Sequence, residues 1–456
     1  MRWRVVVPLA VATAVTGAAV FVAVDRPFSK AHPAAVVTTP TPVRPAVLAA
    51  LGSPSPLPTK AAVAVAIAPA LSAMPSGEQV SGLIVDAATG TTLWSRKPSV
   101  GVAPASTLKL LTAAAALRKL GPGFRFTTST RLSGHTVYLV GGGDPTLVAT
   151  SSADDSPAAY PKPATLADLA AQTAHALPAG LAVRLSADVS EYAAGPTFAK
   201  GWADNYVTEG DVTPPSALEL NGGRLQPSVF DSPRTSDPSA QAADSFAALL
   251  RQDGVRVEGT IAQRTAPSAS SPLASVSSPP LTALVQRMLT DSDNDLAEAL
   301  GRAIALHSEL PTTFVGAASA VYLDVGALRV PVASLSLYDT SGLSHLDTVA
   351  PATLVAVLRA AATDPSAGLS PILEGLPVAG FTGTLSDRYR GKHKSAGAGV
   401  VRAKTGSLTG VNALAGLVTD GSGRLMVFAL MGSGTTQTDV VQTGLDDIAS
   451  ALAQVT

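Results

Sequence analysis

Ser106 and Lys109 stand three residues apart, a spacing that puts a hydroxyl and an amine on one face of a helix. Of the ten lysines in the chain, only Lys109 has a serine three residues before it. Free backbone N–H groups at a helix start favour developing negative charge. A serine placed there beside a base has the minimum needed for covalent catalysis. The plainer alternative is a capping serine and a solvated lysine. Two further clusters carry polar groups of matching chemistry. Ser292-Asp293-Asn294 lies between two helical runs, either as helix caps or as partners for a proton and a substrate amide. Lys404-Thr405-Gly406-Ser407 sets a cation and two hydroxyls around a glycine that permits close approach of a substrate. Such a group can grip a carboxylate, or the lysine can simply discourage pairing at a sheet edge.

Other chemistry is poorly represented. Asp339, Ser341, Ser344 and His345 share one turn-like stretch, but neighbours in a turn seldom face each other. No Gly-x-Ser-x-Gly elbow exists, so a histidine triad is set aside. Gly141-Gly142-Gly143 lacks phosphate-loop spacing and reads as a tight turn. The absence of cysteine excludes disulfides, thiol catalysis and Cys-based metal sites, and the six histidines are scattered. No metal or organic cofactor is expected. With 32 basic and 33 acidic residues there is no basic field to suggest nucleic acid.

The elements that must hold these residues follow from pattern. From Pro104 to Leu117 the chain is rich in Ala and Leu, with no break before Gly121, which predicts a buried helix. A hairpin of Val80–Asp86 and Thr91–Arg96 precedes it. Strand-like runs at 127–132, 136–140, 181–189 and 255–263, with helical periods at 165–177 and 240–252, predict an α+β domain over 126–272. A Ser- and Pro-rich segment, 266–280, closes it off. Helices at 281–289 and 296–306 flank Ser292. A strand from Gly399 leads into Lys404, strands follow at 412–418 and 425–431, and a helix covers 437–454. The expected fold is mixed α/β: an antiparallel sheet flanked by helices, built from 79–125 and 273–456, with the α+β domain inserted.

Arg2 and Arg4 precede an uncharged apolar run, Val5 to Val24. Residues 1–25 therefore read as a signal peptide or a membrane anchor. The length of the run and the lack of a small-x-small site before Asp25 favour an uncleaved anchor with the bulk of the protein outside. The Pro-, Ala- and Thr-rich span 26–78 predicts a disordered tether.

In chain order, Ser-x-x-Lys, Ser-x-Asn and Lys-Thr-Gly on helix, interhelix loop and strand resemble the penicillin-recognising serine peptidases. The chain is most similar to their D-Ala-D-Ala carboxypeptidase/endopeptidase branch, low-molecular-mass penicillin-binding proteins with an insertion between the first two motifs. The likeness spans 79–456 and takes in Gly142–Leu147, Gly201-Trp202, Ser216-Ala217-Leu218, Leu220–Gly223 and Asp339–Ser344. It implies that Ser106 attacks a terminal D-Ala-D-Ala peptide bond while neutral Lys109 takes its proton. Ser292 relays a proton to the leaving amine, and Asn294 holds the substrate amide and orients Lys109. Lys404, Thr405 and Ser407 bind the terminal carboxylate beside Gly406, and the N–H groups of Ser106 and Ser407 form an oxyanion hole. The implied partners are peptidoglycan stem peptides and β-lactams. The insertion is short for that branch and leaves no room for a further nested domain. Two alternatives remain. A class A β-lactamase needs a Glu-x-x-Leu-Asn loop between the second and third motifs, whereas here Glu219-Leu220-Asn221 precedes Ser292. A non-catalytic penicillin-binding sensor would not need Ser106, Lys109, Ser292 and Lys404 all intact.

Overall fold

The computed structural model describes residues 56–74, 80–150, 161–229, 231–390, 395–434 and 437–456. The signal or anchor expectation for 1–25 and most of the tether expectation lie outside the described residues.

In chain order, helix α1 (Lys60–Ala73) precedes the hairpin β1 (Val80–Asp86) and β2 (Thr92–Arg96). A 3-10 turn, Ala105–Leu108, leads into α2 (Lys109–Leu120). Then come β3 (Thr127–Ser133), β4 (Thr136–Val140), α3 (Leu166–Ala176), β5 (Arg184–Asp188), α4 (Tyr206–Glu209), α5 (Pro238–Gln252), β6 (Ala262–Gln263) and β7 (Ser271–Ser277). Helices α6 (Leu281–Thr290), α7 (Asn294–His307), α8 (Phe314–Ala327), α9 (Pro351–Thr363) and α10 (Ser370–Gly375) follow. The chain closes with β8 (Arg402–Leu408), β9 (Val411–Thr419), β10 (Leu425–Ser433) and α11 (Thr438–Leu452).

The main sheet has the order β2-β1-β10-β9-β8, and every neighbouring pair is antiparallel. Its central strands are apolar on both faces, as strands buried on both sides must be. In β10, Met426, Phe428 and Leu430 enter one core with Val63 and Ile67 of α1 and Leu445 and Ile448 of α11. The alternate residues Val427, Ala429 and Met431 enter the other core with α2, α6, α7 and α9. On that second face α9 packs on β1 and β10, and the 3-10 turn packs on β8 and β9. This brings Ser106 beside the strand of Lys404.

The second sheet runs β6-β5-β4-β3-β7 and is mixed, with β4, β5 and β6 parallel. Helices α3 and α5 cover it through Leu169, Phe246 and Leu250, packed on Val137, Leu139 and Leu185.

Four expectations are corrected. Residues 60–73, expected in a disordered tether, form α1. Val63, Ile67 and Ala70 supply a buried stripe at helical spacing, and Thr59 Oγ1 caps the start by accepting from Ala62 N. The boundary at 272/273 cuts β7, which pairs with β3 and belongs to the second sheet. Within 255–263 only Ala262–Gln263 is strand, with an isolated bridge at Val257. The serine helix begins as a 3-10 turn and becomes α-helical only at Lys109.

Candidate active site

Every residue of α2 from Lys109 to Leu117 is buried, because the helix is enclosed by α6, α7, α8 and α9. A lysine in such a helix must find acceptors. Lys109 Nζ lies 3.0 Å from Ser106 Oγ, 2.6 Å from Asn294 Oδ1 and 2.7 Å from the Ser341 carbonyl oxygen. Burial pushes its pKa down to about 8, although the carboxylates of Asp339, Asp293, Glu298 and Asp295 all pull it upward. Two of its three partners can only accept hydrogen bonds. A neutral amine has two N–H bonds and one lone pair, so donation to Asn294 and Ser341 leaves the lone pair facing the Ser106 hydroxyl. The geometry suits a base for Ser106.

Asn294 opens α7, and its amide orientation is fixed from both ends. Oδ1 accepts from Lys109, while Nδ2 donates to the Asp211 carbonyl at 2.8 Å. Ser292 sits in the α6–α7 joint at φ +59°, a left-handed conformation uncommon for serine. Lys404, fully buried on β8, donates to Ser292 Oγ at 2.9 Å and to the Thr405 carbonyl at 3.0 Å. Burial, with Lys109 and Arg388 adding positive charge nearby, holds its pKa well below the usual lysine range. Lys404 thus serves Ser292 from beneath the floor of the site. Its side-chain contacts are with that hydroxyl and the Thr405 carbonyl, and the hydroxyls of Thr405 and Ser407 lie nearer the cleft.

Those groups line a cleft of about 550 Å³. Ser106, Ser292, Asn294, Thr405 and Ser407 all reach it, as do Thr384, Arg388, Arg224 and Asp211. Gly406 is required where it stands: a Cβ there would come 2.6 Å from the Pro104 carbonyl and 3.2 Å from Ser106 N. All eight residues expected at the site are therefore brought together. Pattern reading missed Thr384, whose hydroxyl meets Thr405 Oγ1 at 2.7 Å, and the Ser341 carbonyl. A lone threonine in a Gly-Thr-Leu run carries no signal by itself, and a backbone carbonyl carries none at all.

The set-aside residues have other tasks. Asp339 accepts from Trp202 Nε1, Gly342 N and Ser344 N, each at 2.7 Å, and so ties the 339–344 loop together. Asp144 turns inward to accept from Thr146. Glu219 is buried against Asp295 and Glu298 in a small internal cavity and does not line the cleft. Among the described residues no cluster of His, Cys, Asp and Glu could hold a metal ion.

A family model for D-Ala-D-Ala carboxypeptidase 3 (S13) matches residues 63–235 and 231–455. The chain belongs to the D-Ala-D-Ala carboxypeptidase 3 family. Two carboxypeptidases are similar to it over most of its length. Carboxypeptidase DacB of Mycolicibacterium smegmatis is 37% identical over 99% of this chain and 98% of its own. Carboxypeptidase Rv3627c of Mycobacterium tuberculosis is 38% identical over 82% of this chain and 80% of its own. The fold is that of penicillin binding protein 4 from Haemophilus influenzae, at a TM-score of 0.70 and 22% identity, covering 84% of this chain and 97% of the other. As an S13 enzyme, the chain is a serine-type D-Ala-D-Ala carboxypeptidase, a class that acts outside the cytoplasm.

Proposed function

We propose that Ser106 is the nucleophile and Lys109 the base of an acyl-serine mechanism on peptidoglycan stem peptides ending in D-Ala-D-Ala. One observation carries this reading: Lys109 is buried with two obligate acceptors that leave its lone pair to Ser106. The Ser106 oxygen adds to the penultimate D-Ala carbonyl as its proton passes to Lys109. The N–H groups of Ser106 and Ser407 receive the oxyanion, an arrangement worth on the order of 3 kcal/mol of barrier per donor. Ser292, held by Lys404, relays that proton: its hydroxyl protonates the departing D-Ala amine and is replenished from the Lys109 ammonium, which returns to the neutral base. Thr405 and Ser407, with Thr384 behind them, hold the terminal carboxylate. Water then attacks the acyl ester and releases the shortened peptide.

The same machinery accepts β-lactams, whose acyl-enzyme keeps its leaving group tethered. Placement of Glu219 away from the cleft counts against rapid hydrolysis of that ester. Cleavage of peptide cross-links as well as trimming of termini is part of the proposal. So is retention at the membrane through Val5 to Val24, which N-terminal sequencing of the mature protein checks.

The deciding experiment incubates the enzyme with a fluorescent penicillin and maps the label by mass spectrometry, alongside an assay for D-Ala release. The expected result is stoichiometric label at Ser106 and catalytic D-Ala release, both lost in Ser106→Ala. Label on another residue would refute the assignment, and label without D-Ala release across several stem peptides would favour a sensor.

A further inference from the structure

We infer that Glu298 is a positioning residue for the base, acting on Lys109 through the backbone of the 340–341 loop. The inference rests on the reading of Lys109 as the base. Glu298 lies one helical turn beyond Asn294 on α7, so the two share one helix face, Asn294 reaching Lys109 itself and Glu298 the 340–341 loop. Its Oε1 accepts from the backbone N–H of Thr340 and of Ser341, each at 2.9 Å. The carbonyl of that same Ser341 is an acceptor for Lys109 Nζ. One helix therefore fixes both acceptors of the amine, Asn294 directly and Ser341 at one remove.

The loop is fastened for this purpose from several sides. Thr340 Oγ1 donates to the Ala297 carbonyl at 3.0 Å, and Thr112 Oγ1, on the helix of Lys109, donates to the Thr340 carbonyl at 2.6 Å. A Cβ on Gly301 would come within 2.5 Å of Thr340 Oγ1, so α7 is kept bare where the loop rests. Two amide donors from consecutive residues on one oxygen fix the peptide planes on either side of Thr340 and so anchor the Ser341 backbone, while Gly342 N, in the same peptide plane as the Ser341 carbonyl, donates to Asp339 Oδ1 at 2.7 Å. Without that acceptor the neutral amine has one N–H unconstrained, and its lone pair is no longer held toward Ser106.

Glu298 also carries charge. Arg302, one turn further on, donates to Glu298 Oε2 at 3.0 Å and rests its guanidinium over the Phe314 ring at 4.4 Å. The charged groups around Lys109 are Asp339, Asp293, Glu298 and Asp295 on one side and Lys404 on the other. Around Glu298 they are Arg302, Asp339, Asp347, Lys109 and, across a small recess, Glu219, Asp295 and Tyr192; burial and Asp339 raise the Glu298 pKa, which Arg302 and the two amides oppose.

The test separates position from charge and from folding. Arg302→Met is introduced with each change so that no guanidinium is stranded in the interior. Glu298→Gln/Arg302→Met keeps an oxygen for the two amides; Glu298→Leu/Arg302→Met removes it. In the leucine pair, kcat for D-Ala release and the rate of penicillin acylation are expected to fall together by on the order of a hundredfold, the scale of a displaced general base. KM should stay within about threefold. The glutamine pair should recover most of that loss. Its acidic pH limb should move to lower pH, because a negative charge that raises the Lys109 pKa is gone. Equal losses in both pairs, or kcat unchanged in the leucine pair, would overturn the inference. Lys109→Ala is run beside them. If it acylates normally, the reading of Lys109 fails; if it fails to acylate while the leucine pair acylates normally, only the Glu298 inference falls.

Discussion

A Cβ on Gly342 would come within 2.0 Å of the Ala105 carbonyl oxygen. Ala105 itself is at φ +46° and Gly342 at φ +86°, so two left-handed residues meet directly behind the nucleophile turn. The 339–344 loop can deliver the Ser341 carbonyl to Lys109 only because this contact is backbone against backbone. Gly342→Ala should lower penicillin acylation by about a hundredfold or more and lower the melting temperature. Gly326→Ala, on α8 with nothing near its Cβ, should keep activity and gain up to about 1 kcal/mol. Normal acylation in Gly342→Ala would mean that the loop moves without consequence.

The pH dependence follows from burial. Lys109 must be neutral to take the serine proton, and its pKa is lowered to about 8. The acylation rate should climb with pH, about tenfold per unit while the amine is protonated, and level off near 8. Stability should move the same way. Between about 8 and 10.5 the unfolded lysine holds a proton that the folded one has lost, so unfolding free energy rises with pH across that window. Stopped-flow penicillin binding from pH 5 to 10 measures the first trend. A flat profile would leave Lys109 without its role as base.

Thr384 supplies a specificity test. For Thr405 Oγ1 to donate to a substrate carboxylate, it must accept from Thr384, which is 2.7 Å away. Thr384→Val should raise KM for a peptide ending in a free carboxylate by about fivefold to tenfold, the loss of about 1–1.5 kcal/mol for one hydrogen bond. The corresponding C-terminal amide should be processed as before. Equal effects on acid and amide would point to a distortion of the cleft rather than a lost orientation of Thr405.

What the sequence made legible was what is local. Ser106 with Lys109, Ser292 with Asn294, and Lys404 through Ser407 each lie within four positions, and short, largely apolar runs announced β9 and β10. The rest arises from long-range closure. Ser341 reaches Lys109 from 232 positions away through a carbonyl, which side-chain identity cannot encode. α1 was hidden by its surroundings: it follows a Pro- and Thr-rich stretch and carries Pro69 itself, and its buried stripe of Val63, Ile67 and Ala70 has meaning only once α11 lies against it. The bond from Lys404 to Ser292 could not be read either, because it depends on packing of β8 against the 3-10 turn.

Glu219 separates peptidase from β-lactamase. Burial raises its pKa well above the ordinary value, and it lies off the cleft, so it is poorly placed to activate water over an acyl ester. Glu219→Gln should leave the lifetime of the penicilloyl enzyme unchanged. A clear lengthening of that lifetime would revive the β-lactamase-like reading.

The last prediction concerns α1. Its buried stripe fits against β2 and α11, and Met74, just past its end, fills the space over Gly444, where a Cβ would come within 2.4 Å of Met74 Cγ. Ile67 is fully buried in the core that backs β9 and β10. Truncating it leaves a cavity beneath the same sheet that carries Lys404 on its other edge. Ile67→Ala should cost about 2–5 kcal/mol in denaturant unfolding, the usual range for a buried isoleucine. Removing residues up to 74 exposes the whole stripe and should lower stability further, with penicillin acylation following the fraction folded. Val65→Ala, on the exposed side of the same helix, should change stability by less than about 0.5 kcal/mol. If a chain starting at residue 75 unfolds at the same denaturant concentration as the longer one, α1 is a passenger rather than part of the catalytic domain.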